Sequence, residues 1–359
     1  MIAILLFGIF LQMPGDGKRN SYEFFEERLR KSLRVDARYS ILEFIPAKDY
    51  LYIFTDSLAN AMHISQVYQD LSIRFRIKIV FLPDKRVGLQ TKGVCHVGVA
   101  PVRRYAASAS EQVTQVLYGE TFDTLQIDRT WVRIRLHADG YIGWISSDQA
   151  TLMDDDTFYD FQFLPKVFVA GDVVPLRAKP SPRADILREA VYPATLKVVG
   201  AKGRFLSVRM PDGLVAWVDK TSTSNSIVRR EFSVKNLLNT ARRFLGVSYI
   251  WGGRSAKGFD CSGFVQTVYR LNGISLPRDA DMQFKAGEGL GTSIRKLRAG
   301  DLLFFSSNGN KITHVAIYTG KNEEFIHSSG FVRVNSFDRK RKNFSNKLLS
   351  TFVGACRVV

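Results

Sequence analysis

The amino-acid sequence predicts an α+β chain: a small N-terminal α/β module, then two small β-barrels, then a C-terminal domain of helices and alternating strands. Three observations predict it. Apolar residues fall at every second place in Ile73-Arg74-Phe75-Arg76-Ile77-Lys78-Ile79-Val80-Phe81. Residues 102–145 and 176–218 repeat one another. From Phe232 a helix, a glycine-rich loop, a second helix and further strands follow in turn. At 359 residues the chain exceeds the roughly 250–300 residues that one core organises. The expected divisions are residues 1–18, 19–90, 91–155, 156–225 and 226–359.

Residues 2–11 are almost wholly apolar, too short for a span of about 20 residues but of the length of a secretion-signal core. Residues 1–18 are therefore read as a signal peptide. Against this stand the absence of a preceding Lys or Arg, of an Ala-x-Ala site and of a nearby cysteine. A buried N-terminal strand is the alternative. A cleaved leader places the protein in the periplasm or outside the cell; without one it stays in the cytoplasm. From Ser21 the pattern reads amphipathic helix, apolar strand, a helix-like stretch over residues 56–71, and the strand 73–81 whose two-residue period marks a half-buried face.

Each copy of the repeat opens with a basic strand and a Ser- or Pro-containing loop. A strand, a turn and an alternating strand follow, then a tight turn at Asp139-Gly140 or Asp212-Gly213 and a last strand bearing Trp144 or Trp217. Short strands at this spacing imply small antiparallel barrels, serving either binding or structure alone. The polar stretch 221–226 reads as a linker to the last domain.

Lys and Arg exceed Asp and Glu by 17, a field that enriches anionic partners near the surface. No zinc-finger spacing or RNA-binding signature accompanies the charge, so nucleic acid is not expected, whereas an anionic wall polymer or a plain solvated face suits it. The run Arg339-Lys340-Arg341-Lys342 reads as an exposed loop. Cys95, Cys261 and Cys356 are scattered without CxxC spacing, so neither a disulfide framework nor a metal site is indicated, and no cofactor is expected.

The chemistry concentrates in the last domain. After a helix over residues 232–245 and the loop Gly246-Val247-Ser248-Tyr249-Ile250-Trp251-Gly252-Gly253 comes Gly258-Phe259-Asp260-Cys261-Ser262-Gly263-Phe264. Val265, Val268 and Leu271 then continue at helical spacing to Asn272-Gly273. Cys261 thus opens a helix, where unpaired N–H groups and the positive dipole end favour a thiolate and offer a donor to an oxyanion. A cysteine nucleophile needs an imidazole and a third group to orient it. His314 begins the alternating strand Thr313-His314-Val315-Ala316-Ile317-Tyr318, and His327 lies in Phe325-Ile326-His327-Ser328, a neighbouring strand reached through Gly320-Lys321-Asn322. Adjacent antiparallel strands can bring the two rings side by side.

The ordered set YxWGG, GFDCSGF, LPRD, RAGDLLFF, HVAIY and FIHSSG, over roughly residues 235–359, resembles the NlpC family of papain-like cysteine peptidases. The resemblance implies Cys261 as nucleophile, His314 as base and His327 as the polar residue orienting it. The two repeats resemble bacterial SH3-like domains. The whole layout resembles the γ-D-glutamyl-L-diamino acid endopeptidases of that family, which cleave between γ-D-Glu and diaminopimelate or Lys in stem peptides with a free N-terminal L-Ala.

Carried over residue by residue, that resemblance gives Asp260 to the L-Ala ammonium, although capping the helix explains the same carboxylate. Glu111 resembles a second carboxylate for that ammonium and Tyr141 an aromatic closing that end; a solvated turn and a barrel core explain them equally. Tyr249 would donate to the oxyanion and Trp251 would wall the pocket. Ser262, Arg278 and Asp279 would meet or shape the site of the D-Glu α-carboxylate. Asp281 stands where family members often carry Ser, and the second repeat has Asp185 and Leu214 in place of a Glu–Tyr pair. The expected partners are peptidoglycan stem peptides or muropeptides, met by a monomer. Two other classes use the same residues: a non-catalytic wall-binding protein, and an amidase or acyltransferase built on the same thiol.

Overall fold

The computed structural model describes residues 16–71, 73, 75–226, 232–309 and 311–359. The stretch expected to form the leader falls outside them up to residue 15, and its last residues open the helix Asp16–Leu33. Among the described residues no helix is long and apolar enough to cross a membrane. The chain divides into two compact units: residues up to 93 with 105–110 and 121–159, and residues 94–104, 111–120 and 160–359.

In the first unit the order of strands is Leu42–Pro46, Tyr50–Thr55, Arg76–Phe81. The first pair is antiparallel and the second parallel, and the helix Leu58–Asp70 supplies the crossover that parallel pairing requires. Ser57 caps that helix by accepting the Asn60 N–H at 3.3 Å. Phe25, Leu29, Ile53 and Ile64 fill the core. The alternating strand begins at Arg76 rather than Ile73. The same unit holds an antiparallel ladder of Thr121–Asp128, Trp131–Leu136 and Ile142–Ser146.

The second unit contains a seven-stranded antiparallel sheet in the order Ile186–Val191, Val173–Arg177, Val215–Asp219, Phe205–Arg209, Thr195–Lys202, Lys166–Val169, Thr223–Ser224. Thr223 and Ser224 were expected in a linker; their backbones instead pair with Val169 and Phe168. Ladder hydrogen bonds need main-chain groups only, so a polar run can close a sheet edge. The hairpin Val99–Arg103 and Gln112–Leu117 also belongs to this unit.

Its C-terminal part sets the helices Val234–Arg243 and Cys261–Arg270 against a six-stranded antiparallel sheet. The strand order is Glu288–Gly291, Phe352–Arg357, Leu302–Phe305, His314–Tyr318, Glu324–Ser329, Phe331–Ser336. Phe264, Val265 and Val268 of the second helix join Val315, Ile317 and Ile326 in one core. Phe305, Phe325, Phe337 and Phe352 form a second core. Each such side chain contributes about 1.5–3 kcal/mol by its burial, so the start of the Cys261 helix is rigidly placed.

Candidate active site

Cys261 is the first residue of its helix and is 8% exposed. Asp260, extended at ψ 179°, caps the helix: its Oδ1 accepts the Gly263 N–H at 2.6 Å. Gly263 is required there because a Cβ would stand 2.1 Å from the Gly253 carbonyl oxygen. Gly252, at φ +72°, passes so close to Gln112 that a Cβ would meet its carbonyl oxygen at 2.7 Å. These two glycines let the tryptophan loop lie against both the helix mouth and the Gln112–Leu117 strand.

His314 opens its strand, the position expected from the alternation. Its Nε2 lies 2.8 Å from Nδ1 of His327, which is 0% exposed. The rings meet edge to face with centroids 4.9 Å apart. His327 Nε2 lies 2.9 Å from Oδ1 of Asn335 on the next strand, and Asn335 Nδ2 donates to the Asn343 carbonyl at 2.8 Å. With Nε2 of His314 engaged by His327, Nδ1 is the ring nitrogen left for a thiol. The N–H of Val315, next to His314, approaches the Cys261 sulfur.

Burial, with the Asp260 charge beside it, pushes the Cys261 thiol up to about 12. Burial, with repulsion from the neighbouring His327, Arg333 and Lys347, lowers His314 to about 3. His327 is lowered to about 4 by burial, against the pull of its Asn335 bond. Burial thus opposes the thiolate that the helix mouth favours, and it favours the neutral imidazole. Such a pair can ionise together as a carbonyl carbon is attacked. Burial and the nearby Cys261 and Asp260 also push the Tyr249 hydroxyl upward, so it stays protonated as a donor.

The expected binding residues divide sharply. The Asp260 carboxylate pairs with Arg278, at 2.6 Å from Nη2 and 3.1 Å from Nη1, and accepts the Gly252 N–H at 2.9 Å. Arg278, expected at a substrate carboxylate, is 0% exposed and also donates to Thr114 Oγ1 and Ser262 Oγ. Ser262 is buried within the same cluster. These three form one buried hydrogen-bonded cluster, as a buried charge demands a partner. Asp279, half-buried, precedes the short helix Ala280–Gln283.

Trp251 is exposed (61%), and its Nε1 donates to Glu111 Oε1 at 3.0 Å while its carbonyl accepts from Gln112 Nε2. Glu111 is exposed and also pairs with Arg104 at 2.8 Å, which holds its carboxyl below the usual range. Tyr141 belongs to the other unit, where it is buried with its ring edge toward Tyr39.

Two features escaped the sequence reading. Asn335 stands behind His327, and its signal was the tight turn at Gly330, which sets His327 opposite Arg333 and brings Asn335 alongside. The second is an ion cluster in which Glu120 accepts from Arg254 (2.7 and 3.0 Å) and Arg270 (2.8 Å). Both arginines drive the Glu120 carboxyl down to about 2 against its burial. No group of three or more metal-ligating side chains occurs among the described residues.

Comparison with known proteins gives the family. The NlpC/P60 family model matches residues 246–351, and the model of the bacterial dipeptidyl-peptidase Sh3 domain matches residues 102–149. A gamma-D-glutamyl-L-lysine dipeptidyl-peptidase of Bacillus cereus is 31% identical over 236 residues, covering 62% of this chain and 69% of that protein. Its namesake in Bacillus subtilis is 29% identical over 231 residues, 60% of this chain and 71% of the relative. The crystal structure of an NlpC/P60 family protein from Bacillus cereus superposes with a TM-score of 0.63 at 25% identity, over 74% of this chain and 99% of that one.

Proposed function

Because this chain belongs to the NlpC/P60 family of cysteine peptidases, we propose that it cleaves the bond between γ-D-Glu and the diamino acid of peptidoglycan stem peptides bearing a free N-terminal L-Ala. Cys261 is the nucleophile, His314 the base and His327 its orienting partner. The observation that carries this reading is the His314–His327 contact of 2.8 Å, which leaves His314 Nδ1 for the thiol at the adjacent helix mouth.

The thiol proton passes to His314 Nδ1 as the sulfur bonds to the γ-carbonyl carbon of D-Glu. The oxygen becomes an oxyanion facing the Cys261 N–H, one of the helix's orphan donors, and the Tyr249 hydroxyl. The C–N bond then breaks, and His314 returns the proton to the departing α-amine of the diamino acid. Water, deprotonated by the same nitrogen, hydrolyses the thioester and frees L-Ala-γ-D-Glu.

With Asp260 committed to Arg278, Glu111 is the carboxylate for the substrate ammonium, exchanging its exposed Arg104 pairing for it. Trp251 walls the same end. Asp279 shapes the neighbouring subsite. The groups assigned on the second unit lie on one copy of the chain, so a monomer suffices, and a leader in residues 1–18 would carry it to the wall.

The test is mass-spectrometric detection of L-Ala-γ-D-Glu from synthetic L-Ala-γ-D-Glu-L-Lys and its diaminopimelate counterpart. Wild-type protein should release it. Cys261→Ala should release none while keeping its circular dichroism spectrum and melting midpoint. Equal turnover by the alanine variant, or none by either protein, would overturn the reading.

A further inference from the structure

Imidazole catalysis depends on which ring nitrogen holds the proton, and that choice is fixed by the bond the other nitrogen makes. His314 and His327 are both neutral at rest, so each carries one N–H, and the pair can be ordered in either of two opposite directions. In one, His314 presents a bare Nδ1 to the thiol and can act as a base. In the other, His314 carries its proton on Nδ1 and cannot.

The structure holds a device that selects between them. The Asn343 carbonyl can only accept a hydrogen bond, so the Asn335 atom 2.8 Å away must be the amide nitrogen. That orientation turns Oδ1, an obligate acceptor, toward His327 Nε2 at 2.9 Å. His327 must then carry its proton on Nε2 and accept at Nδ1. His314 must in turn donate from Nε2 across the 2.8 Å contact, which leaves Nδ1 with a lone pair. The Asn343 carbonyl is itself held, since it also accepts the Ser336 N–H at 3.0 Å.

We propose that Asn335 is a positioning residue which, oriented by the Asn343 carbonyl, sets the polarity of the His327–His314 pair so that His314 Nδ1 is the unprotonated base facing Cys261. It touches no substrate and acts only through His327. Among the described residues, Phe305 and Phe325 also pack against these rings, as apolar neighbours that neither donate nor accept a proton. Arg333, directly opposite His327 on the ladder, and Lys347 contribute charge without accepting a proton. The proposal rests on the catalytic reading of His314, yet the proton's location can be measured without substrate.

The experiment is long-range ¹⁵N–¹H correlation spectroscopy of histidine rings in the full chain carrying Cys261→Ala, near pH 7.5, with signals assigned by His314→Gln and His327→Gln. Both rings should show a protonated Nε2 and a bare Nδ1. Protonation of His327 at Nδ1 would overturn the proposal without any change at Asn335. Asn335→Leu, close in shape but unable to accept, should scramble the two forms and lower kcat by at least about tenfold with KM nearly unchanged, as wrong-tautomer variants of other triads do. Asn335→Asp, which keeps an acceptor, should restore the wild-type ring pattern. A leucine variant with wild-type kcat and ring signals defeats the idea. If wild-type protein cleaves no stem peptide but shows the expected ring signals, the peptidase assignment falls and the polarity device stands.

Discussion

Arg278 Nη2 lies 2.6 Å from Asp260 Oδ2, one residue before the cysteine that opens the helix. Both side chains are nearly removed from solvent, so the acid adjacent to the proposed nucleophile is held by a buried cation. Replacing Arg278 with Met leaves a buried carboxylate without its cation. Unfolding in urea should show a loss of about 3–5 kcal/mol, read as a lower midpoint at unchanged slope. Double replacement with Asp260→Asn should recover part of the loss, because the stranded charge is then gone.

Glu111→Gln should raise KM for L-Ala-γ-D-Glu-L-Lys by about 10- to 100-fold with a smaller effect on kcat, the range for one hydrogen bond to a charged group. N-acetylation of the peptide should cost wild-type enzyme a similar factor and the glutamine variant little more. Additive penalties would place the ammonium elsewhere.

The two histidines predict an acid limit to stability. Their folded values, about 3 for His314 and about 4 for His327, lie below the ordinary value near 6.5. The unfolded chain therefore binds more protons between those limits, and stability rises with pH there. It should be full above about pH 6.5 and fall steadily toward pH 4. Urea midpoints at pH 7.5, 6.0 and 5.0 measure this, and His327→Gln should flatten the decline.

Glu120 adds a second, lower acid limit. Its carboxyl is held at about 2 by Arg254 and Arg270, so its contribution is present above about pH 4.5 and disappears as pH falls from there toward 2. Glu120→Gln should destabilise at pH 7 by about 3–5 kcal/mol, because Arg254, 1% exposed, is left buried without its partner. Thermal melts at pH 7 and pH 3 should show the variant's deficit shrinking on acidification.

The parts of this molecule that depend on local pattern were legible in the sequence. The Cys261 helix follows from apolar spacing and a glycine stop, the His314 strand from alternation, and the His314–His327 pairing from a short antiparallel connection. What depends on burial was not. Arg278 is sealed against Asp260, and nothing in LPRD tells whether that arginine faces water. Asn335 depends on hairpin register, which a one-residue slip would reverse. Thr223 and Ser224 carry no apolar signal, yet they complete a ladder.

The loop that carries Trp251 is held from two sides, one of them distant in the chain. Glu111, Gln112, Gln115 and Glu120 grip Trp251 and Arg254, while Asp260 grips Gly252. The catalytic domain is therefore not a portable cassette. Expressed alone from Phe232 onward, it would keep its thiol and imidazoles but lose the clasp around the Trp251 loop, and a fully desolvated guanidinium would be laid bare. Engineers seeking to graft this hydrolase onto another module would need to bring residues 94–120 along with it.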